Sequence, residues 1–524
     1  MKNDFILILG AGLMQKPAIQ AGKELGYKIA LVDGNPKAFC VSLADIFSPI
    51  DLKDKESILD FAKKLNTEHN LKAVFTAGTD FSSVVSYVAE NLGLPAHSYE
   101  AACKASNKIQ MRKSFEKAKV PSPKFIEIDA KFLENPDLQG LDFPLVVKPV
   151  DNMGARGCRM IRFESELKEN AKIAIEYSRT KKAILEEYME GMEFSIDALV
   201  FDNSVTITGF ADRHIFYPPY FIEMGHTMPS IYSPTSDQWK ELSKTFVAGI
   251  NALGLTHGVA KADIKLTPKG PMIGEIAARL SGGYMSGWTY PYSSKINLTK
   301  QALLLALNEK PTEVLANREK TGIENLYNLP SKEVSAERAW ISIPGKIEKI
   351  IDLSESENQN IKDVFPRTQV GDVVNFPLNN VEKCGNVISN HKDYKIATSS
   401  AEEKIANLIL CLEKNNSETL AFLQDDLETD FPPSAFSLPK DVYNEVKNLP
   451  QILENLEIPQ CLLPYAENLK DYNHRTIKQT LDIFKKITKF DINQKINFAD
   501  FKINFWQTLI RGGIQGILYL YEKN

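Results

Sequence analysis

Residues 258–283, GVAKADIKLTPKGPMIGEIAARLSGG, predict two short β-strands joined by a turn rich in proline and glycine. Side chains alternate between the two faces of a strand. On the first strand, Lys261, Asp263 and Lys265 therefore share one face. On the second strand, Glu275, Ala277 and Arg279 share one face. If Leu266 pairs with Met272, Asp263 lies opposite Glu275 on the same side of the sheet.

Two carboxylates held this close repel each other unless a cation lies between them. Oxygen ligands with no histidine or cysteine nearby suit magnesium better than zinc. The arginine further along the second strand suggests a phosphate group. For a hairpin taken alone, a solvated antiparallel face with alternating charges is the more common outcome. The rest of the sequence must decide between these interpretations.

Length and composition are those of an ordinary globular protein of roughly three or four domains. The chain has 524 residues, of which 43% are hydrophobic and 25% are charged. Its net charge of −5 argues against a nucleic-acid-binding surface. The six cysteines form no CxxC pair, which indicates neither a zinc site nor disulfides and predicts a cytoplasmic location. No apolar run is as long as a membrane span, so we expect no membrane partner.

The first part of the chain predicts a Rossmann-like βαβ domain, placed at residues 1–103. An apolar strand from Phe5 to Leu9 leads into Gly10-Ala-Gly12, then a helix and a second apolar strand that ends at Asp33. A glycine turn of this kind can hold a dinucleotide, but Gln15 stands where the nicotinamide fingerprint has its third glycine. We favour a βαβ fold whose glycines line a cleft, with a dehydrogenase domain as the alternative.

Three further regions follow, and they make the fold class α/β and α+β. Residues 104–330 mix helices and strands, residues 331–400 are β-rich, and residues 401–524 are mostly helical. In the last region we predict a helix from 401 to about Leu412. Helical spacing of apolar residues predicts a packing helix within His474 to Thr488.

Two segments before the hairpin suit a nucleotide. Lys148 ends an apolar strand and is followed by a glycine-containing loop at 152–158. A lysine and loop N–H groups are what phosphates need, although a charged surface loop has the same composition. An apolar strand from Ala183 then leads into a polar turn, where Glu193 could accept hydrogen bonds from a ribose. The alternative for this segment is an exposed acidic turn.

In this order the motifs resemble those of the ATP-grasp ligases, in the branch of biotin carboxylase, the carbamoyl-phosphate synthetase large subunit and the L-amino-acid ligases. The resemblance runs from about residue 5 to 400. It rests on five motifs: Ser106-Asn-Lys108, Val147-Lys-Pro149, the loop to Gly157, Glu186-Glu-Tyr-Met189 with Glu193, and Glu275-Ile-Ala-Ala-Arg279. It implies an ATP-grasp fold with an N-terminal Rossmann-like domain, a small β-rich closing lobe and an extra helical C-terminal region.

The resemblance also implies roles for individual residues. Those implied to bind ATP are Lys108, Lys148, Gly154, Arg156, Gly157, Glu186, Glu187, Tyr188, Met189 and Glu193. Within this set, Glu186 to Met189 would form the hinge that contacts adenine. The implied metal ligands, for Mg²⁺ or Mn²⁺, are Asp263 and Glu275, and the implied catalytic residues are Arg279 and Lys148. The positions expected near the substrates are His226, Ser281, Gly282, Gly283 and Tyr284, with Trp288 and Tyr290 shaping the pocket. A lone histidine and such aromatic residues are as often structural.

Two positions depart from the family pattern. Asp263 stands where glutamate is usual, and Ala277 stands where asparagine is usual, which removes one oxygen from the metal shell. The implied reaction joins a small carboxylic acid, such as an amino acid, to an amine through an acylphosphate and releases ADP and phosphate. The alternatives are a bicarbonate-activating or purine-pathway enzyme of the same fold, and a nucleotide-binding protein that has lost turnover. The C-terminal helices could also mediate a homo-oligomer.

Overall fold

The computed structural model describes residues 3–354, 358–453, 455–490, 496–497 and 501–521. The chain divides into two compact units. Unit 1 comprises residues 1–214, 226–336 and 390–393, and unit 2 comprises residues 215–225, 337–389 and 394–524. The four-region division made from the sequence stays a prediction.

Unit 1 begins with a parallel four-stranded sheet, as the βαβ pattern predicted. Its strands lie in the order Ile46–Ser48, Lys28–Val32, Asp4–Leu9 and Asn70–Phe75. The helices of this region are Lys16–Glu24, Lys55–Glu68 and Ser82–Leu92. Ile6 and Ile8 join one hydrophobic cluster, whereas Leu7 and Leu9 join another. The central strand is therefore buried on both faces, which explains its uninterrupted apolar sequence.

Gln15, the residue that breaks the dinucleotide fingerprint, has a structural role. Its Nε2 donates to the Ala77 carbonyl at 2.5 Å, and its Oε1 accepts from the Ala77 N–H at 3.0 Å. Asp33 accepts from the Ala11 N–H at 2.8 Å. Side chains of the domain itself thus hold the glycine turn, which favours the βαβ interpretation over the dehydrogenase alternative.

A small antiparallel sheet follows, and it carries Lys148 and Glu186. Its strands lie in the order Phe125–Ile128, Ala183–Glu187, Leu145–Pro149 and Arg159–Ile161. Lys148 pairs with Ile184, and Val146 pairs with Glu186. Lys148 and Glu186 are therefore diagonal neighbours on one face of the sheet.

A larger antiparallel sheet contains the hairpin quoted above. Within unit 1 its order is Gly270–Ala277, Gly258–Thr267, Met192–Phe201 and Ser204–Phe216. The helix Asp237–Leu253 packs on the sheet, where Phe246 meets Ile273 and Ile276 in one core. Further helices of unit 1 are Tyr99–Ser106, Lys108–Ala118, Glu164–Tyr177, Tyr290–Ser294, Leu298–Ala306 and Thr312–Asn317. Further strands of unit 1 are Glu319–Lys320 and Leu326–Asn328, and the residues of the strand Ile222–Met228 belong partly to unit 2 and partly to unit 1.

The hairpin register is one residue away from the prediction at the turn and agrees with it at the acids. Leu266 pairs with Pro271, so the predicted Leu266–Met272 pair is wrong, because the turn between the strands holds only two residues. Gly274 is then an extra residue between the Ile264–Ile273 and Asp263–Glu275 pairs, which makes it a β-bulge. The bulge restores the predicted pairing of Asp263 with Glu275, which is confirmed.

Unit 2 contains β-structure where the sequence predicted a helix. The helix Tyr394–Ala406 ends early, and Leu408–Leu412 is a strand antiparallel to Gly345–Asp352, so the helix predicted to reach Leu412 is wrong. Periodicity cannot separate strand from helix in a short, wholly apolar run such as this one. Further strands are Val334–Trp340, Ile361–Pro366, Val373–Val374, Gly385–His391, Ile452–Leu453 and Ile496–Asn497.

Helices dominate the later part of unit 2. They are Ser417–Gln424, Lys440–Lys447, Ile477–Thr488 and Phe505–Leu520. The third is the predicted packing helix, and it begins after Thr476, whose side chain forms a capping box with Gln479. The last is kinked at Gly513, where φ is 58°. No helix in the described part of the chain has both the length and the apolar character needed to cross a bilayer.

Arg112 joins the helix Lys108–Ala118 to both antiparallel sheets of unit 1. Its side chain is fully buried. Its Nε donates to Glu186 Oε1 at 2.6 Å, and its Nη2 donates to the carbonyl of the bulge residue Gly274 at 2.6 Å. One guanidinium group therefore satisfies a buried carboxylate and a bulge carbonyl together.

We predict that Arg112→Leu destabilises the protein, because it leaves a buried carboxylate short of a partner and the Gly274 carbonyl without its donor. Breaking a buried pair costs about 3–5 kcal/mol, so the midpoint of thermal unfolding should fall by several degrees. Lys113→Leu is the matched control, since the Lys113 side chain is 64% exposed. Equal midpoints for the two variants would contradict the role given to Arg112.

Candidate active site

Six residues form a grid on one face of the larger sheet, across three adjacent strands. One row is Asp197, Lys261 and Ala277, and the next row is Ser195, Asp263 and Glu275. Residues two apart along a strand share a face, so all six side chains project to the same side. This polar grid concentrates three carboxylates and one lysine.

Both carboxylate oxygens of Asp263 face cations of the chain. Lys261 Nζ lies 2.5 Å from Asp263 Oδ2, and Arg213 Nη1 lies 3.1 Å from Asp263 Oδ1. Arg213 Nη1 also lies 2.5 Å from Glu193 Oε1, and Lys265 Nζ lies 3.4 Å from Glu193 Oε2. Glu193, predicted to hold the ribose, is therefore paired with two cations beside the grid.

Glu275 lies near Lys108, which comes from a distant part of the sequence. Their Nζ and Oε1 atoms are 3.5 Å apart, and Lys108 also donates to the Asn152 carbonyl at 3.0 Å. Burial favours a low pKa for Lys108, but Glu275 and Asp80 raise its pKa above the usual value. Burial favours a high pKa for Glu275, but Lys108 and then Lys261 lower its pKa below the usual value. Both groups are therefore charged at neutral pH.

Glu186, predicted to lie in the adenine hinge, has both carboxylate oxygens engaged by cations. Lys148 Nζ lies 2.6 Å from Oε2, and Arg112 Nε lies 2.6 Å from Oε1. Burial favours a high pKa for Glu186, but Arg112 and then Lys148 lower its pKa below the usual value. The carboxylate therefore positions Lys148, which the sequence assigned to a phosphate.

The rest of the predicted adenine hinge lies beside Lys265. Glu187 Oε1 is 3.1 Å from Lys124 Nζ. Lys265 Nζ donates to the Met189 carbonyl at 3.1 Å and lies 4.9 Å from the centre of the Tyr188 ring. Lys265 thus links this segment to the hairpin strand that carries Asp263.

The predicted phosphate loop is a compact turn that requires its glycines. Gly154 and Gly157 have φ angles of +68° and +72°, which L side chains rarely adopt. A Cβ on Gly157 would lie 2.9 Å from Tyr177 Cβ. Arg156 Nε donates to the Met153 carbonyl at 3.1 Å.

Arg279 lies beside a carboxylate of the N-terminal sheet region. Its Nε is 3.6 Å from Asp80 Oδ1, and its Nη1 donates to the Leu280 carbonyl at 3.0 Å. Ser281 donates from N and Oγ to Asp197 Oδ2 at 3.0 and 2.8 Å. A Cβ on Gly282 would lie 3.3 Å from the Gly78 carbonyl. The arginine and the residues after it therefore pack on residues 78–80.

The residues predicted to shape a substrate pocket are largely buried. His226 and Tyr290 expose no measurable surface, and Tyr290 lies in a hydrophobic cluster while its hydroxyl donates to the Ser195 carbonyl at 3.2 Å. Tyr290 is thus a core residue, which corrects its assignment to the pocket. Tyr284 is also buried and meets Trp288 edge to face at 5.7 Å.

A cavity of unit 1 does lie against Arg279. Its polar lining includes Thr76, Ser82, His97, His257 and Arg279. Burial lowers the pKa of His97 to about 4, so this histidine is neutral and its Nε2 donates to the Val259 carbonyl at 2.9 Å. Arg279 therefore contributes a permanent positive charge to the residues that line this cavity.

The predicted metal site offers a metal ion two carboxylates, those of Asp263 and Glu275. No group of three or more His, Cys, Asp or Glu side chains suited to a metal ion occurs within the ranges that the structure describes. The assignments of Asp263 and Glu275 to a metal, and of the other site residues to ATP and substrates, stay predictions.

Sequence analysis missed several charged residues that the structure brings to this place. They are Asp80, Arg112, Asp197 and Arg213. Arg112 follows Lys108 by four positions and so shares its helix face, which was a usable signal. Asp80, Asp197 and Arg213 carried no local signal, because only the packing of separate strands brings them beside the hairpin.

Comparison with known proteins identifies the domain that contains the polar grid. Residues 141–287 match the family model of the ATP-grasp domain. Carnosine synthase 1 of Gallus gallus is 25% identical over 333 residues, which cover 58% of this chain and 35% of the relative. Phosphoribosylamine–glycine ligase of Pyrococcus furiosus is 25% identical over 306 residues, covering 52% of this chain and 66% of the relative. The chain spans only 35% of the first relative and at most 59% of three others.

Solved structures agree on the fold. L-amino acid ligase from Bacillus licheniformis matches with a TM-score of 0.66 and 20% identity, covering 79% of this chain and 100% of that chain. The biotin carboxylase domain of Hydrogenobacter thermophilus 2-oxoglutarate carboxylase, solved with MgADP, ADP and bicarbonate, matches with a TM-score of 0.59 and 16% identity, covering 79% and 91%. The chain therefore contains an ATP-grasp domain and has the ATP-grasp fold, as its motifs predicted.

We predict that Asp197 makes stability depend on pH. Burial raises the pKa of Asp197 to about 6, although hydrogen bonds from Ser281 oppose this rise. Because the folded pKa lies above the unfolded one, the stabilisation is fully present below about pH 4. It is lost as pH rises through about 6, where the buried carboxyl must ionise.

The test compares thermal unfolding of wild type and Asp197→Asn between pH 4.5 and 7.5. The amide cannot ionise, so the decline in the unfolding midpoint over this range should be smaller in the variant. Asp202→Asn is the control, because Asp202 is exposed in the turn between the same strand and the next. Identical pH profiles for wild type and Asp197→Asn would refute the assignment.

Proposed function

We propose that the chain is an ATP-dependent carboxylate–amine ligase that works through an acylphosphate on an amino acid or a similar small carboxylic acid. One observation carries the proposal. Three cations from separate segments, Lys108, Lys148 and Arg279, each lie beside one carboxylate: Glu275, Glu186 and Asp80 respectively. Such a group of cations on an ATP-grasp fold is suited to the phosphates of ATP and to a carboxylate substrate.

The chemistry requires no protein nucleophile. An oxygen of the substrate carboxylate attacks the γ-phosphorus of ATP, the bond to the β–γ bridging oxygen breaks, and ADP leaves. The amine nitrogen then attacks the acyl carbon, phosphate leaves, and the amine loses a proton. The protein contributes position and positive charge to both steps.

The chain's residues divide these tasks. In this proposal Lys108 and Lys148 hold the phosphates, and the loop at 152–158 covers them. Arg279 orients the substrate carboxylate, which is supported by its permanent positive charge among the residues that line the cavity. Magnesium bound with ATP would supply further positive charge. Glu275 fits it better than Asp263, because both oxygens of Asp263 are already paired with cations.

The names of the relatives support this reaction class. One relative is named as a ligase of L-amino acids, and another as a synthase of carnosine. The solved biotin carboxylase domain and N5-carboxyaminoimidazole ribonucleotide synthetase share the fold, so a bicarbonate-activating or purine-pathway enzyme is the second candidate. Ala277 motivates a third, a nucleotide-binding protein without turnover.

The experiment that tests the proposal measures ADP release from ATP with a panel of amino acids, supplied singly and in pairs. We expect release that requires both a carboxylate and an amine, with the joined product detected by mass spectrometry. Stimulation by bicarbonate alone would favour the second candidate. Nucleotide binding without stimulated release by any of these substrates would favour the third.

We predict that Lys148→Ala and Arg279→Ala each lower the rate of ligation at least about 100-fold, the effect of removing a charge that stabilises a transition state. Both folds should persist, since Glu186 keeps Arg112 and Asp80 keeps the nearby positive charge of Lys108. Lys64→Ala is the control, because its side chain is 72% exposed on the helix Lys55–Glu68, which carries none of the predicted site residues. Full activity in either variant would show that the site is misplaced.

A further inference from the structure

The polar grid contains a lysine beside the position at which this chain lacks a metal ligand of the family pattern. Ala277 replaces the usual asparagine, and Lys261 lies directly opposite it in the hairpin. Opposed residues of antiparallel strands have Cβ atoms about 4.5–5.5 Å apart and so share one space. The Ala277 side chain ends at Cβ, and it therefore brings no oxygen to the space that Lys261 enters.

The ammonium group of Lys261 interacts with all three carboxylates of the grid. Its Nζ is 2.5 Å from Asp263 Oδ2. Burial disfavours the ionised forms of Glu275 and Asp197, and the charge of Lys261 opposes that effect on each; the pKa of Glu275 is lowered overall, whereas the pKa of Asp197 is raised to about 6. Asp197 Oδ1 is buried and has no hydrogen-bond partner among the described residues, and Lys261 is its neighbour in the same row.

Lys261 is thus placed as a divalent ion would be in an all-oxygen site. Such an ion neutralises several carboxylates that would otherwise repel one another. The lysine is 8% exposed, so its charge is poorly screened by solvent. Arg213 Nη1 lies 3.1 Å from the other carboxylate oxygen of Asp263, Oδ1. A metal ion bound at Asp263 would have to displace one of these cations or lie against it.

We propose that the ammonium group of Lys261 excludes a divalent ion from Asp263, so that the chain with ATP bound holds a single divalent ion, carried by Glu275 and the ATP phosphates. This inference rests on the proposed function. It assigns Asp263 to positioning Lys261 rather than to the metal. The loss of the amide at position 277 and the presence of lysine at position 261 then have the same effect, because both disfavour a divalent ion at Asp263.

The test counts ions. Mn²⁺ is titrated into the protein with a saturating non-hydrolysable ATP analogue, and free Mn²⁺ is measured by electron paramagnetic resonance. We expect one Mn²⁺ per chain. Two ions per chain, or none, with the analogue bound would overturn the inference and leave the proposed function standing. Absence of analogue binding would overturn both.

Variants test whether Lys261 is the reason that the chain binds one divalent ion. Lys261→Met combined with Ala277→Asn removes the tethered charge and restores the amide, so we expect two Mn²⁺ per chain. Lys261→Arg keeps the charge and should bind one. Lys269→Met is the matched control, since Lys269 is exposed in the turn of the same hairpin and should also bind one.

A folded double variant that still binds one ion would overturn the role of Lys261, even if the wild type binds one. Thermal unfolding establishes whether each variant is folded. If the double variant does not fold, the ion count of the wild type and of Lys261→Arg decides the matter, because two ions in either contradict the proposal.

Discussion

The structure of this site depends on one constraint, the pairing of Asp263 with Glu275 across a hairpin that a single bulge keeps in register. The two-residue turn alone would offset the acids by one position and send one of them to the opposite face. Gly274 supplies the extra residue that prevents this, and Arg112 binds its carbonyl at 2.6 Å. The buried guanidinium of Arg112 therefore connects the backbone of the hairpin to Glu186 and, through it, to Lys148.

Charge balance follows from that arrangement. Buried carboxylates close together are stable only with cations among them, and each buried acid of the site faces at least one lysine, arginine or hydroxyl donor. Lys108, Lys148 and Lys261 come from three different elements, yet all lie within ion-pair distance of these acids. The same cations are the groups that a nucleotide and a carboxylate substrate need. One set of side chains therefore contributes both to the stability of the fold and to the proposed function.

Local patterns predicted the parts of the fold that rest on local chemistry. Alternation and turn residues identified the hairpin, and the apolar strand of Phe5 to Leu9 with its glycine turn identified the parallel sheet. Prediction failed at Leu408–Leu412, because an apolar run of that length fits a strand or a helix and only its partner Gly345–Asp352 decides. It also failed at Tyr290, since an aromatic residue near a glycine segment is equally suited to a core.

By itself, the sequence determined which chemical groups are present and in what order: the lysines, the two acids of the hairpin, the arginine and the missing amide at Ala277. Tertiary structure decided which of them meet. Asp80, Asp197 and Arg213 reach the hairpin from other strands and loops, so no spacing along the chain could reveal them. The opposition of Lys261 and Ala277 likewise depends on register, which a bulge sets by backbone hydrogen bonding rather than by side-chain identity.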